Sequence, residues 1–285
     1  MVLKYIFHST LLFIFLLCSN NAFSKSNKLI RVATTTSTEN SGLLKYLAPK
    51  FENKTGYKLH FIAVGTGKAL QMGKDGDVDL MLVHAKTAEE EIVADGFGVK
   101  RYPVMYNDFV IVGPQESSKT FNNKSTIQDV LEHIAENKNK FVSRGDDSGT
   151  HKKELSLWKL TKNTSVRHSG RWYIEAGQGM GKVLQMAGEL GAFTMTDRGT
   201  WLAYMKKSPL TIVFEGNPIL FNPYGMIAVN PEKYPDTNYQ GAQTFIDWMT
   251  SPEGQKLIGD FKISGEVLFI PNANSDIHLE KNDAA

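Results

Sequence analysis

Cysteine is almost missing from this chain. The 285 residues contain one, Cys18. It lies in an N-terminal stretch that reads as removable, so the remainder can form no internal disulfide and its apolar core must carry the fold. Charge of one sign is missing too. The 32 Lys and Arg are scattered and nearly balanced by 30 Asp and Glu, for a formal net charge of +2. That excludes the basic face nucleic acid selects. No repeat or low-complexity segment occurs, and the 7 His show no metal-ligand spacing. Long hydrophobic runs are lacking as well. The unbroken apolar run Leu11 to Leu17 is too short to span a bilayer.

That run has its own reading. Lys4 precedes it, and small polar residues follow as far as Ala22-Phe23-Ser24, the pattern of a secretory signal peptide cleaved near Ser24. A lipid-anchored protein would need small residues just before Cys18, where Leu16 and Leu17 stand. The expectation is residues 1–24 as signal peptide and a soluble exported chain in the periplasm, without a lipid anchor. About 260 residues remain, enough for one large domain or two ordinary ones. At 41% apolar residues the chain can bury a sizeable core. The polar tail 272–285 reads as loose.

The order of elements is informative. "LIRVATT" reads as a strand. "SGLLKYLAPKFENKTG" reads as a helix with Leu43, Leu44, Leu47 and Phe51 on one face and Gly56 past its end. "YKLHFIAV" is a second strand, "GTGKALQMGKDGD" allows a short helix, and "TAEEEIVADG" is another. "VDLMLV" is a continuous apolar run, as in a parallel strand buried on both faces. This alternation predicts an α/β domain. After "NDFVIVGP" a second unit begins. It has a helix over Ser125 to Lys138 started by Ser125 and Gln128, a strand at Phe141-Val142, and helices over 150–162 and 178–190. Strands "AFTMT" and "LTIVF" close it. "NPYGMIAVNP" is extended, and helices follow at 242–249 and 252–261. The expected architecture is α/β with two lobes of parallel-rich sheets, the second inserted in the first. Lobe I takes 25–112 and 224–271, and lobe II 113–223. Crossings near Phe109 to Pro114 and Asn222 to Asn230 form a two-segment hinge, and a ligand sits between the lobes at strand C-termini.

Three stretches fall at one kind of place: "ATTTSTENSG", "VGTGKAL" and "SRGDDSGTH" each follow a strand and precede a helix. Each offers hydroxyls, Gly, and the free N–H groups of a helix start, which is the chemistry of anion binding. Arg144 adds a planar fork suited to two oxygens of an oxyanion. Taken singly, such loops are most often simple caps, and Arg144 could be a surface arginine held by Asp146 or Asp147. Capping explains "ATTTST" least, because five consecutive hydroxyls run from Thr34 to Thr38. Enzyme readings fit worse. Ser148 is not flanked as Gly-x-Ser-x-Gly, and His151 on the same helix turn is badly placed as its base. "AGQGMGKV" departs from a phosphate loop at Ala176 and Val183, and reads as a loop and helix start lining the cleft or as a tight packing site.

With "ATTTSTENSGLL", "VGTGKAL", "GDVDLMLVHA", "NDFVIVGP", "SRGDDSGTHKKELSLW", "GQGMG", "TDRGTW" and "NPYGMIAVNP" in this order, the chain resembles the tungstate-binding proteins of bacterial tungstate ABC transporters. The resemblance covers nearly the whole mature chain. It implies a type II periplasmic binding protein fold and capture of tungstate for a membrane permease. It also implies ligand groups at Thr36, Ser37, Thr66, Gly67, Arg144, Ser148, Gly149 and Thr150. The expected partners are tungstate or molybdate and an ABC permease; the protein is expected to be a monomer with no cofactor, catalytic residue or metal centre.

The chemistry agrees in one respect. Tungstate at neutral pH is a dianion without a proton, so its site should hold donors only. Glu39 is expected to face its own helix start; of Asp146 and Asp147, one is expected to orient Arg144 and the other to cap the helix. Size and charge do not separate tungstate from molybdate, so the resemblance selects tungstate here. A binding protein for molybdate or another tetrahedral oxyanion, an exported phosphate-ester hydrolase, and an oxyanion sensor docking on a membrane signalling protein remain as alternatives. A hydrolase would need a nucleophile with metal ligands or a general acid, and no such set converges.

Overall fold

The computed structural model describes residues 28–122, 124–146, 148–162 and 171–273. The stretch 1–24 expected to be a signal peptide, Asp147 and the tail beyond Ala273 lie outside the described residues. Three strands form a parallel block: β1 (Leu29–Thr35) lies between β2 (Lys58–Val64) and β3 (Leu80–Val83). Every residue of β3 is buried, as its unbroken apolar sequence predicts. Helices α1 (Thr36–Asn40), α2 (Leu43–Thr55), α3 (Thr66–Asp75) and α4 (Lys86–Ala94) alternate with these strands. Leu43, Leu44, Leu47 and Phe51 of α2 are all buried on one face. Gly56 ends that helix at φ 75°, a left-handed turn that costs glycine little.

The next strand, β4 (Gly98–Pro114), is 17 residues long and changes partners midway. From Gly98 to Asp108 it pairs antiparallel with β9 (Phe221–Val229). From Phe109 to Pro114 it pairs with β7 (Thr194–Asp197) and β8 (Leu210–Phe214). Strand β9 also pairs antiparallel with β3. The sheet is therefore mixed, with order β12-β4-β9-β3-β1-β2, where β12 is Ile270–Pro271. Sequence reading anticipates parallel-rich sheets. Among the described strands, parallel ladders join β2-β1-β3, and β5 (Phe141–Ser143) with β6 (Tyr173–Glu175). The antiparallel part follows from connectivity. A chain that leaves one half along β4 and returns along β9 must run in opposite directions on the two crossings.

Between the crossings lie α5 (Ile127–Glu136), α6 (Gly149–Trp158), α7 (Met180–Leu190) and α8 (Arg198–Tyr204). The short hairpin β10 (Lys262–Ile263) and β11 (Glu266–Val267) precedes β12. Helix α5 starts two residues later than the sequence suggests. Its cap is Thr126, not Ser125: the Asp129 carboxylate accepts from Thr126 N at 2.7 Å, and Thr126 Oγ1 accepts from Asp129 N at 3.2 Å. The Ser125 hydroxyl instead accepts from Asn122 N. Helix α6 ends at Trp158, short of the expected 162, where the Thr161 hydroxyl takes the Trp158 carbonyl. One apolar cluster runs from α2 through Val110 and Val112 of β4 to Val142, Val183 and Leu184. A second surrounds Phe141, Trp158, Trp172 and Tyr173, whose rings meet at 5.4 to 6.1 Å.

Helices α9 (Tyr239–Thr250) and α10 (Pro252–Asp260) meet at a bend with no spare room. A methyl group on Gly254 would sit 2.1 Å from the Trp248 carbonyl oxygen and 2.9 Å from that of Met249. Both are main-chain atoms and cannot rotate away. Gly254→Ala should therefore destabilise the protein by about 2–3 kcal/mol, the upper part of the overpacking range. Urea unfolding measures this, and an unchanged midpoint would contradict the packing.

Candidate functional site

The five hydroxyls from Thr34 to Thr38 divide into two sets. Thr34 Oγ1 donates to the Leu82 carbonyl at 2.9 Å, tying β1 to β3. Thr35 Oγ1 accepts from Thr38 N at 3.3 Å and lies 2.6 Å from Thr38 Oγ1. These three residues are buried and used by the fold. Thr36 and Ser37 are exposed at the start of α1. The parallel register pairs Thr35 with Val64, so the second loop, Gly65 to Gly67, leaves the sheet beside the first. Helix α3 has no side-chain cap. Its first internal bond runs from Ala69 N to the Gly65 carbonyl at 2.9 Å. The amides of Thr66, Gly67 and Lys68 ahead of it have no carbonyl within the helix to take. Methyl groups built on Gly65 and Gly67 meet nothing within 4 Å.

The other half repeats the arrangement. Strands β5 and β6 pair in parallel with Ser143 opposite Glu175, so the loops after them leave side by side. Gly145 takes φ 59° and lies so close to Glu175 that a methyl group would be 2.8 Å from its Cβ. Arg144 pairs with Asp146 through Nη2, and the other Asp146 oxygen accepts from Ser148 N at 3.2 Å. Partial burial opposes ionisation of Asp146, but bonds from Ser148 and Arg144 hold its carboxyl below the usual range. Ser148 itself caps α6, accepting from His151 N at 3.3 Å. The cap is thus the serine rather than an aspartate, and Asp146 orients the arginine. Gly149 faces open space. Arg144 Nε is buried with no hydrogen-bond partner among the described residues.

A further helix start stands beside this loop. Gly177, at φ 59°, and Gln178 lead to Gly179, which begins α7 without a side-chain cap. Methyl groups on Gly177 and Gly179 meet nothing within 4 Å. The glycine spacing of "GQGMG" was the available signal for this element.

Where the chain crosses between halves, polar side chains form a connected set that sequence reasoning missed. Ser37 Oγ lies 3.4 Å from His84 Nε2, and His84 Nδ1 lies 3.1 Å from Asn222 Oδ1. Asn222 Nδ2 donates to Asn107 Oδ1 at 2.9 Å. Burial pushes the His84 imidazole below its ordinary value, so it is neutral at pH 7. The Tyr224 ring packs 4.8 Å from it. Next to Asn107, Asp108 receives a bidentate pair from Arg198 at 2.6 and 2.7 Å, and Arg198 also reaches Glu215 at 2.6 Å. The signal lay in "NDF", "TDRG" and "NPYG", each polar inside an otherwise apolar strand or strand end.

The chosen residues therefore assemble as two groups. Thr36, Ser37, Thr66 and Gly67 stand at the ends of β1 and β2, and Arg144, Ser148, Gly149 and Thr150 at the end of β5. Among the described residues no cluster of three or more His, Cys, Asp or Glu could hold a metal ion. No described helix is long and apolar enough to cross a membrane.

Comparison with known proteins agrees with this architecture. A PBP superfamily domain model matches residues 23–253. The tungstate-binding protein TupA of Peptoclostridium acidaminophilum is 50% identical over 248 residues, 86% of this chain and 86% of its own. The solved structure of tungstate-binding protein TupA from Desulfovibrio alaskensis G20 has a TM-score of 0.82 at 49% identity, covering 86% of this chain and 99% of that one. A structure described as the tungstate ABC transporter from Geobacter sulfurreducens gives a TM-score of 0.70 at 50% identity, covering 83% of this chain and 100% of that one. The chain belongs to the PBP superfamily and, within it, to the family of the tungstate-binding protein TupA.

Proposed function

We propose that this protein captures tungstate between its two halves and delivers it to an ABC permease, without chemical turnover. The reading rests on one observation: among the described residues, the chosen groups are hydroxyls, amides and a single guanidinium, and the carboxylate paired with that guanidinium has both oxygens occupied. Asp146 is the acid beside the guanidinium, and its two oxygens are already taken by Arg144 and Ser148 N. Such a set suits an anion that carries no proton, as tungstate is at neutral pH. Hydrogenphosphate would bring a proton, and Asp146 beside the guanidinium has no free oxygen to receive it. The naming of relatives as tungstate-binding supports the same choice.

In this proposal Thr36, Ser37, Thr66 and Gly67 hold the anion from one side. Arg144, Ser148, Gly149 and Thr150 hold it from the other, and the amides at the start of α7 join them. Segments 25–112 with 224–271, and 113–223, move as two lobes. They close by bending where β4 exchanges partners at Asp108 and Phe109 and where β9 begins. Residues 1–24 direct export to the periplasm, where the mature chain acts as a monomer. Calorimetry of the mature chain tests the function. One tungstate should bind per chain, and phosphate should not compete. Hydrolysis of phosphate esters at enzyme-like rates, lost in Ser148→Ala, would contradict it.

Two substitutions probe the site. A charge-assisted contact contributes about 1.5–3 kcal/mol, so Arg144→Ala should weaken tungstate binding roughly ten- to hundredfold. Arg144→Lys should recover only part, because the planar fork is lost. A folded Arg144→Ala protein with unchanged affinity would remove this residue from the site. Gly67→Ala should leave thermal stability nearly unchanged, since its methyl group meets nothing within 4 Å. It should nevertheless weaken tungstate binding at least severalfold by occupying space the anion needs. Unchanged affinity in that variant would move the anion away from α3.

A further inference from the structure

Behind the Arg144 loop lies a buried acid that neither the loop nor the relatives' names account for. Glu154 sits on α6 and is only 3% exposed. Its Oε2 accepts from Ser143 Oγ at 2.7 Å, and its Oε1 from Tyr173 OH at 2.7 Å and Trp158 Nε1 at 3.2 Å. Ser143 Oγ in turn accepts from Gly145 N at 3.3 Å, so the carboxyl is one hydroxyl away from the turn that carries Arg144. Among the described residues no Lys or Arg pairs with Glu154. Its three partners are neutral.

Resting on the oxyanion reading, we propose that Glu154 is a proton-binding site linked to the cleft, and that its carboxyl takes up a proton when the dianion binds. The geometry gives the reason. Glu154 stands five residues beyond the start of α6, about 7.5 Å along the helix axis. A dianion at that helix start and a carboxylate in the apolar interior repel each other with little solvent between them. The cation expected to offset this, Arg144, is already matched by Asp146. Protonation of Glu154 removes the conflict with no movement of the chain.

The surroundings allow it. Among the described residues, the titratable groups acting on Glu154 are Tyr173 and Glu175 on β6; His151 lies one turn earlier on its own helix, and Arg144 follows Ser143 after β5. From α5 and β7 the same region receives apolar side chains such as Val130, Ile134 and Met195. Burial, eased by the bonds from Tyr173, Ser143 and Trp158, pushes the Glu154 carboxyl up to about 7. It is therefore partly ionised at neutral pH in the empty protein and can gain a proton when negative charge arrives. The sign is fixed: lower pH favours the protonated acid, so affinity rises as pH falls through this range.

Titration calorimetry of tungstate into the mature chain at pH 7.5, in buffers of different ionisation enthalpy, counts the protons exchanged. Tungstate has none to give or take there. The expected result is uptake of roughly half a proton per anion, with affinity roughly fivefold tighter at pH 6.5 than at pH 8.5. Glu154→Gln should bind tungstate with no proton uptake and a flat pH profile. If that variant does not fold, Tyr173→Phe, which removes one donor to the carboxylate, should raise the pH at which uptake disappears. Binding without proton exchange in the wild type, uptake that persists in Glu154→Gln, or an unmoved midpoint in Tyr173→Phe would overturn the inference while leaving tungstate capture intact. Absence of tungstate binding in the wild type would overturn both.

Discussion

A helix start leaves amides that the helix itself cannot bond. This constraint organises the molecule. At α1 and α6 a side chain supplies a cap, Thr35 and Ser148. At α3 and α7 glycine stands there instead, and no side chain satisfies the first turn. All four starts follow the C-terminal ends of strands in parallel pairs, β1 with β2 and β5 with β6. Parallel register alone sets the loops side by side, and helix dipoles of one sign then point out of each half. An anion is the natural complement of that field.

The junction between halves follows from a different constraint. One segment must leave the first half and another must return, and the two pair antiparallel as β4 and β9. Polar groups that would be costly inside a sheet collect at this junction and satisfy one another. Asn107 bonds Asn222, Asn222 faces His84, and Asp108 holds Arg198. Because His84 Nε2 also lies 3.4 Å from Ser37 Oγ, the junction is connected to the start of α1 through three side chains.

Much of this was legible in the sequence, for physical reasons. Leu43, Leu44, Leu47 and Phe51 mark α2 because one helix face is buried. "LMLV" marks β3 because both faces are. The first half of β4 was not legible. Lys100, Arg101 and Pro103 break its apolar pattern, and the partner that lets Arg101 sit there, buried Glu89 at 2.7 Å, belongs to another element, helix α4. Helix α1 has no apolar period at all: its five residues, Thr36 to Asn40, are all polar, and the Thr35 side chain caps it. Caps were misplaced by one residue where two hydroxyls adjoin, as at Ser125 and Thr126. The family resemblance, not any mark in the residues themselves, singles out Thr36 and Ser37 from a run of five hydroxyls. The sequence run has no such mark, while the fold buries Thr34, Thr35 and Thr38 and exposes the other two.

The central claim is that one oxyanion is held by donors from both halves at once. Anomalous diffraction at the tungsten edge, from crystals grown with tungstate, tests it most directly. The account predicts a single strong anomalous peak, with oxygens contacting Thr36, Ser37 and the start of α3 on one side and Arg144 and the start of α6 on the other. A peak bound by one half alone, or one bound at a surface away from both helix starts, would contradict it.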